Sequence, residues 1–222
     1  MKDTAVISDL DGTLLDTLED LTDAVNHVLT ERGCPERTIE EIRVFVGNGA
    51  KKLIDQALPG RADDPDRLET FRAFQAYYNA HCQIKTRPYD GILEALETLA
   101  GEGYPLAVVS NKPDTAVKPL AKQYFPGLYA RGESPECPRK PAPDMVFRAA
   151  EALGVEPKHC IYVGDSEVDI KTSANAGMRC VSVLWGFRGE AELRAAGGDC
   201  FCSDPGELVE TVKKLEREIH GQ

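Results

Sequence analysis

The sequence predicts an α/β fold: a doubly wound parallel sheet with an all-helical domain inserted after the first strand. Three observations predict it. Short, continuously apolar runs alternate with amphipathic helical segments, the pattern of a parallel sheet covered on both faces. Residues 16–82 instead read as helices throughout, with no convincing buried strand. Each clear strand ends in polar or charged residues, where open α/β sheets bind ligands. The expected division is a core of residues 1–15 and 83–222 and a helical domain of residues 16–82.

The first strand, Ala5 to Ser8, runs into Asp9-Leu10-Asp11-Gly12-Thr13. Strand alternation would turn Asp9 and Asp11 to the same side. Asp-Gly also fits a hairpin turn, although Leu14 to Leu18 does not alternate as a returning strand would. A helix follows from Leu18 to about Arg32, with Thr17 and Asp20 as a capping box and Gly33 as its stop. Thr38 and Glu41 open a short second helix. Gly47-Asn48-Gly49 then permits positive φ and close approach of backbone N–H groups to a ligand. A third helix holds Leu53, Ile54 and Leu58. Asp64-Pro65 opens a fourth, to about Cys82, with Leu68, Phe71, Phe74, Gln75 and Tyr78 at helical spacing.

From about Arg87 strands return. A helix from Ile92 to Ala100 precedes the strand Leu106 to Ser110. A helix from Pro113 and a weak strand near Leu128 to Ala130 come next. A helix from Pro143 to Leu153 leads to the strand Cys160 to Gly164, and a helix ending at Ala176 leads to Cys180 to Leu184. A short helix near Glu190 to Ala195, a short strand near Phe201 and a C-terminal helix opened by Asp204-Pro205 complete the chain.

With 26 basic and 37 acidic residues the net charge is −11. That argues against nucleic acid and anionic membranes as partners, but not against a small anion held at a local cation. No run reaches transmembrane length, and nothing at the N-terminus reads as a signal peptide. Seven irregularly spaced cysteines fit reduced thiols and a cytoplasmic location. Cys200 and Cys202 lack the second ligand pair that a zinc site needs, and the four histidines match no ligand spacing.

The chemistry collects at strand ends. Asp9, Asp11, Gly12 and Thr13 follow the first strand, and Ser110, Asn111 and Lys112 the second. Asp165 and Ser166 follow Gly164, with Asp169 four residues beyond Asp165, and Lys140 stands in Arg139-Lys140-Pro141. Taken singly, Ser110-Asn111 fits a turn and Asp165 a helix cap. Taken together, Asp9, Asp11 and Asp165 at one sheet edge would be costly without a cation, and oxygen donors suit Mg²⁺. A metal, a lysine and a hydroxyl make a phosphoryl site, and a carboxylate is the available nucleophile. Asp9 would attack phosphorus. Asp11, with its pKa raised by the neighbouring carboxylate, would serve as acid and base.

These residues resemble the four motifs of the haloacid dehalogenase superfamily: Asp9 to Thr13, Ser110, Lys140 before Pro141, and Gly164-Asp165-Ser166-Glu167-Val168-Asp169. The resemblance covers essentially the whole chain in order. It implies a Rossmann-like core, a mobile helical cap and Mg²⁺-dependent phosphotransfer. By that family's roles, Asp9 is nucleophile and metal ligand, and Asp11 is acid and base and offers its backbone carbonyl to Mg²⁺. Ser110 and Lys140 hold the phosphoryl group, Asp165 completes the protein ligands, and Asp169, with Ser166, supports the metal site. Gly12, Thr13, Asn111, Gly47 and Asn48 join Ser110 and Lys140 as expected substrate contacts.

Val46-Gly47-Asn48-Gly49-Ala50 is similar to the cap stretch of phosphoglycolate phosphatases. A phosphatase of a small phosphorylated metabolite, with 2-phosphoglycolate foremost, is the resulting expectation, as a monomer or homodimer. A β-phosphoglucomutase-like transferase or a pyrophosphatase of the same superfamily stays open. So does a non-catalytic binding or regulatory module. A receiver-type module fits poorly with a large insertion after the first strand.

Overall fold

A computed structural model describes residues 2–60 and 66–221. In chain order the elements are β1 (Ala5–Ser8), β2 (Leu15–Asp16), α1 (Leu18–Glu31), α2 (Ile39–Phe45), α3 (Ala50–Ala57), α4 (Asp66–His81), β3 (Arg87–Pro88) and α5 (Ile92–Gly101). Then come β4 (Leu106–Pro113), α6 (Asp114–Tyr124), β5 (Tyr129–Glu133), α7 (Asp144–Leu153), β6 (Cys160–Gly164), α8 (Glu167–Ala176), β7 (Arg179–Val183), α9 (Glu190–Ala195), β8 (Phe201–Cys202) and α10 (Leu208–Ile219). Two compact units result: Met1–Leu15 with Pro88–Gln222, and Asp16–Arg87.

The first unit holds a six-stranded sheet in the order β5-β4-β1-β6-β7-β8, with every pair parallel. β1 is central. The chain fills β4 and β5 on one side of it and β6, β7 and β8 on the other, so the strand order reverses at β1. That reversal opens a crevice at the carboxyl ends of β1, β4 and β6, the usual ligand position in such sheets.

Alternate residues divide the core between two faces. Val6, Val108, Ile161, Val163, Val181 and Val183 pack with Ile92 and Leu99 of α5, Leu120 of α6 and Val212 of α10. Ala5, Ile7, Ala107, Val109, Cys160 and Tyr162 pack on the other face with Met145, Val146 and Ala149 of α7. Strands buried on both faces explain why their sequences read as unbroken apolar runs.

β4 continues to Pro113, with a register shift against β5 between Ser110 and Pro113. Ser110, Asn111 and Lys112 therefore lie on an extended strand and not in a turn. Gly154 and Gly177 end α7 and α8 in the left-handed conformation, with φ of 69° and 67°.

In the second unit, Thr38 and Glu41 form the capping box of α2. Gly33 takes φ 63°, and the Cys34 N–H returns to the Leu29 carbonyl at 2.9 Å, closing α1. The capping box expected at the start of α1 does not form. Thr17 Oγ1 is buried without a hydrogen-bond partner. Asp20 turns instead to the distant chain, accepting from the N–H groups of Lys85 at 3.0 Å and Thr86 at 2.8 Å. These bonds keep residues up to Arg87 with this unit, so the second boundary falls at 87/88 and not at 82/83. The short ladder of β2 and β3, which the sequence did not suggest, lies at the two chain crossings.

The buried face of α4 also differs. Arg67, Thr70, Phe74 and Tyr78 point inward, whereas Leu68 is half exposed. The Arg67 guanidinium donates to the carbonyls of Asp55 at 2.6 Å and Gly60 at 3.1 Å. It thereby satisfies acceptors left at the end of α3. Asp64-Pro65, expected to open α4, lies outside the described residues. No helix among the described residues is long and apolar enough to cross a membrane.

Candidate active site

Three strand ends and one loop meet in the first unit. Asp9 follows β1, and its N–H donates to the Val163 carbonyl at 2.8 Å, which ties it to β6. Its Oδ1 accepts from the Leu10 N–H at 2.7 Å and lies 2.8 Å from Lys140 Nζ. Lys140 Nζ also sits 2.7 Å from Asp169 Oδ1 and donates to the Tyr162 hydroxyl at 3.0 Å. The carboxylates of Asp9, Asp165 and Asp169 each place an oxygen within 4.8 Å of the others.

Asp169 is fully committed to this arrangement. Its Oδ1 accepts from Lys140 Nζ and from the Tyr162 hydroxyl at 3.0 Å. Its Oδ2 accepts from the Ser166 hydroxyl at 2.6 Å and N–H at 3.1 Å. Asp169 and Ser166 thus make a helix-capping contact at the start of α8 that also anchors the lysine.

Asp165 is held from two other directions. Thr13 Oγ1 donates to its Oδ1 at 3.2 Å and the Phe187 N–H to its Oδ2 at 2.8 Å. Gly12 has φ 80°, and a Cβ there would lie 2.5 Å from Asp165 Oδ2. Glycine at position 12 is therefore required by its conformation and by the carboxylate beside it. Gly186, also pressed against Asp165, fills the same role from the loop after β7.

Asn111 and Asp11 have partners of their own. The Asn111 side chain accepts from the Lys140 N–H at 2.6 Å and donates to the Lys140 carbonyl at 3.1 Å. It holds the backbone of the central lysine. The Asp11 carboxylate is not in the three-carboxylate group. Its Oδ1 lies 2.8 Å from Lys112 Nζ and its Oδ2 accepts from Ser110 Oγ at 3.3 Å. The close partner of Asp11 is therefore an ammonium, not the carboxylate invoked to raise its pKa.

Gly47 and Asn48, expected to contact substrate, lie between α2 and α3 in the second unit, where Gly47 takes φ 114°. Lys51 pairs with Asp55 one turn along α3 at 2.9 Å, as a surface helix lysine does.

Tyr162 and the Phe187 N–H were not singled out from sequence, and Lys112 was placed at its strand end without a role. Tyr162 lies inside an apolar strand run and carries no local signal. Lys112 directly follows Ser110-Asn111, which was the available hint.

Three buried carboxylates face one buried ammonium. Burial pushes the Asp9 carboxyl well above the usual range; Lys140 opposes this, and Asp169 and Asp165 add to it. Burial, reinforced by Asp169, pushes Asp165 up to about 7. Burial alone would lower Lys140, but Asp169 and Asp9 outweigh it and hold the ammonium above its ordinary value. The group is short of positive charge, and its donors are all oxygen. Both features fit a hard divalent cation at Asp9 and Asp165.

This arrangement has a consequence for metal-free protein. A carboxyl raised from 3.8 to about 7 binds more protons folded than unfolded between those values. Stability therefore falls as pH rises through that window, by up to about 4 kcal/mol for this group. Urea midpoints in EDTA should drop less between pH 5 and pH 8 in Asp165→Asn than in the parent. Equal drops would refute the assignment.

The comparisons with known proteins agree with this geometry. The profile of the family described as haloacid dehalogenase-like hydrolase matches residues 6–183. Phosphoglycolate phosphatase 1 of Pseudomonas aeruginosa is 35% identical over 191 residues, covering 82% of this chain and 70% of that protein. N-acetylmuramic acid 6-phosphate phosphatase of the same organism is 30% identical and covers 95% of each chain. A solved structure from Lactobacillus delbrueckii subsp. bulgaricus, assigned as a phosphoglycolate phosphatase, superposes with a TM-score of 0.86 at 36% identity over 100% of both chains. The chain belongs to the haloacid dehalogenase-like hydrolases.

Proposed function

We propose that this protein is a Mg²⁺-dependent phosphatase of small phosphorylated metabolites, with 2-phosphoglycolate its leading substrate. The observation that carries the reading is the Asp9 carboxylate beside Lys140, within one buried group with Asp165 and Asp169.

Asp9 attacks phosphorus in line. The bond to the ester oxygen breaks, its electron pair stays on that oxygen, and Asp11 supplies the proton. In the second half a water attacks the aspartyl phosphate and gives a proton to Asp11. The phosphorus–oxygen bond to Asp9 then breaks, and its electron pair restores the carboxylate. Lys140 stabilises charge on Asp9 and on the transferring group, and Ser110 donates to a phosphoryl oxygen.

Asp9 and Asp165, with the Asp11 backbone carbonyl that the family resemblance implicates, would hold Mg²⁺. When bound, the ion supplies Lewis-acid stabilisation to the phosphoryl oxygens. The helical unit of residues 16–87 serves as a cap that excludes water and selects the leaving group, with Gly47 and Asn48 as its contacts.

2-Phosphoglycolate is favoured by the phosphoglycolate phosphatase relatives. The relative named for N-acetylmuramic acid 6-phosphate favours a sugar phosphate as second reading. A hydrolysis panel with both compounds, β-glucose 1-phosphate and pyrophosphate tests the choice, and the highest kcat/KM is expected for 2-phosphoglycolate. EDTA should reduce turnover by at least about 100-fold, restored by Mg²⁺. Full activity in EDTA would overturn the metal dependence, and no hydrolysis across the panel would overturn the enzyme reading.

A further inference from the structure

We infer that Lys112 is a positioning residue for the second half of the reaction, fixing Asp11 in the orientation that receives the proton of water. The inference rests on the proposed function and extends it to a residue outside the four motifs.

Lys112 is 8% exposed and stands at the end of β4, two residues after Ser110. Its Nζ lies 2.8 Å from Asp11 Oδ1, while Ser110 Oγ donates to Asp11 Oδ2 at 3.3 Å. The Lys112 N–H donates in turn to Ser110 Oγ at 3.1 Å. Asp11, Ser110 and Lys112 thus form a closed ring in which each carboxylate oxygen has its own donor.

The backbone that carries Lys112 is also confined. A Cβ on Gly132 of β5 would lie 2.5 Å from the Lys112 carbonyl and 2.6 Å from Asp114 Cα. The Gly132 N–H donates to Asp114 Oδ1 at 3.0 Å. Burying a lysine is costly without a specific partner. Here the ammonium meets the side chain that would pass protons to and from the reacting oxygens, so it bears on Asp11 geometry rather than on the sheet.

The two halves of the reaction separate experimentally. Loss of an ester to p-nitrophenol needs little help from an acid, because the departing phenolate is already stable. Hydrolysis of the aspartyl phosphate still needs the base. Lys112→Met and Lys112→Gln should therefore lower kcat on p-nitrophenyl phosphate by about tenfold or more. KM should fall in parallel, leaving kcat/KM within about threefold, because phosphorylated enzyme accumulates. Rapid quenching should reveal a burst of p-nitrophenol close to one equivalent of enzyme. Adding either substitution to Asp11→Asn should cost little further, as expected for groups acting as a unit.

A fall in kcat/KM as large as that in kcat, without a burst, would show a merely structural residue and overturn the inference. So would unchanged kinetics in both variants, or failure of both to fold. The two readings fail differently. If Asp11→Asn itself shows no burst, the role of Asp11 in the proposed function falls. If Asp11→Asn shows the burst and both Lys112 variants lack it, only the inference about Lys112 falls.

Discussion

Asp9→Asn is expected to lower Mg²⁺-dependent turnover by about four orders of magnitude or more, without loss of fold. An amide at this position cannot form the acyl phosphate, and removing a nucleophile eliminates the whole covalent route. Stability should move the other way. Burial holds the Asp9 carboxyl well above the usual range, so its ionised form is unfavourable in the fold. The neutral amide removes that penalty, and at pH 8 without metal the variant should melt no lower than the parent. Thermal melting beside steady-state hydrolysis checks both. Retention of even a hundredth of the parent turnover would contradict the role given to Asp9.

Lys140→Met should damage stability and activity together. The ammonium lies 2.8 Å from Asp9 and 2.7 Å from Asp169, and its side chain is 2% exposed. Removing one partner of a buried ion group leaves the others uncompensated and typically costs about 3–5 kcal/mol. Lys140 is held above its ordinary value of 10.5, so its own titration takes nothing from its contribution at lower pH. It is lost only as pH rises through the higher native value. The deficit of the variant should shrink between pH 8 and pH 5, because Asp9 can then take up a proton. Turnover should fall by at least about 100-fold through the lost charge stabilisation. Denaturant midpoints at the two pH values, with hydrolysis rates at pH 8, measure these effects. Parent-like stability at both would mean that the ion group contributes little.

The parts legible in the sequence were those fixed by local pattern and by topology. Unbroken apolar strands gave a parallel sheet, and a parallel sheet places strand ends on one edge. Asp9 and Asp165 could therefore be assembled from topology, and Lys140 from the motif it resembles. Tyr162 could not, because its alternation with Ile161 and Val163 looks like ordinary core packing and its hydroxyl partners lie on other elements. Asn111 was visible as a polar residue at a strand end, but its pairing with the Lys140 backbone spans 29 residues.

The same limit explains the helical unit. Thr17 and Asp20 have the spacing of a capping box, yet Asp20 is taken by N–H groups 65 and 66 residues away. Arg67 enters the interior in place of Leu68, because the end of α3 offers carbonyls that only a guanidinium can satisfy together. Periodicity sees neither partner. Lys112 is the instructive intermediate: its position beside Ser110 was plain, but nothing local showed that it would meet Asp11.

The most direct test is to trap the phosphoryl group on the protein. Phosphorus-labelled substrate mixed with enzyme and Mg²⁺ for a few milliseconds, then quenched in acid, should leave acid-stable, base-labile label on a single peptide containing Asp9. Asp11→Asn should increase the amount trapped when p-nitrophenyl phosphate is the substrate, and Asp9→Asn should abolish it. Label on another residue, or turnover with no label in any of the three proteins, would contradict covalent catalysis by Asp9.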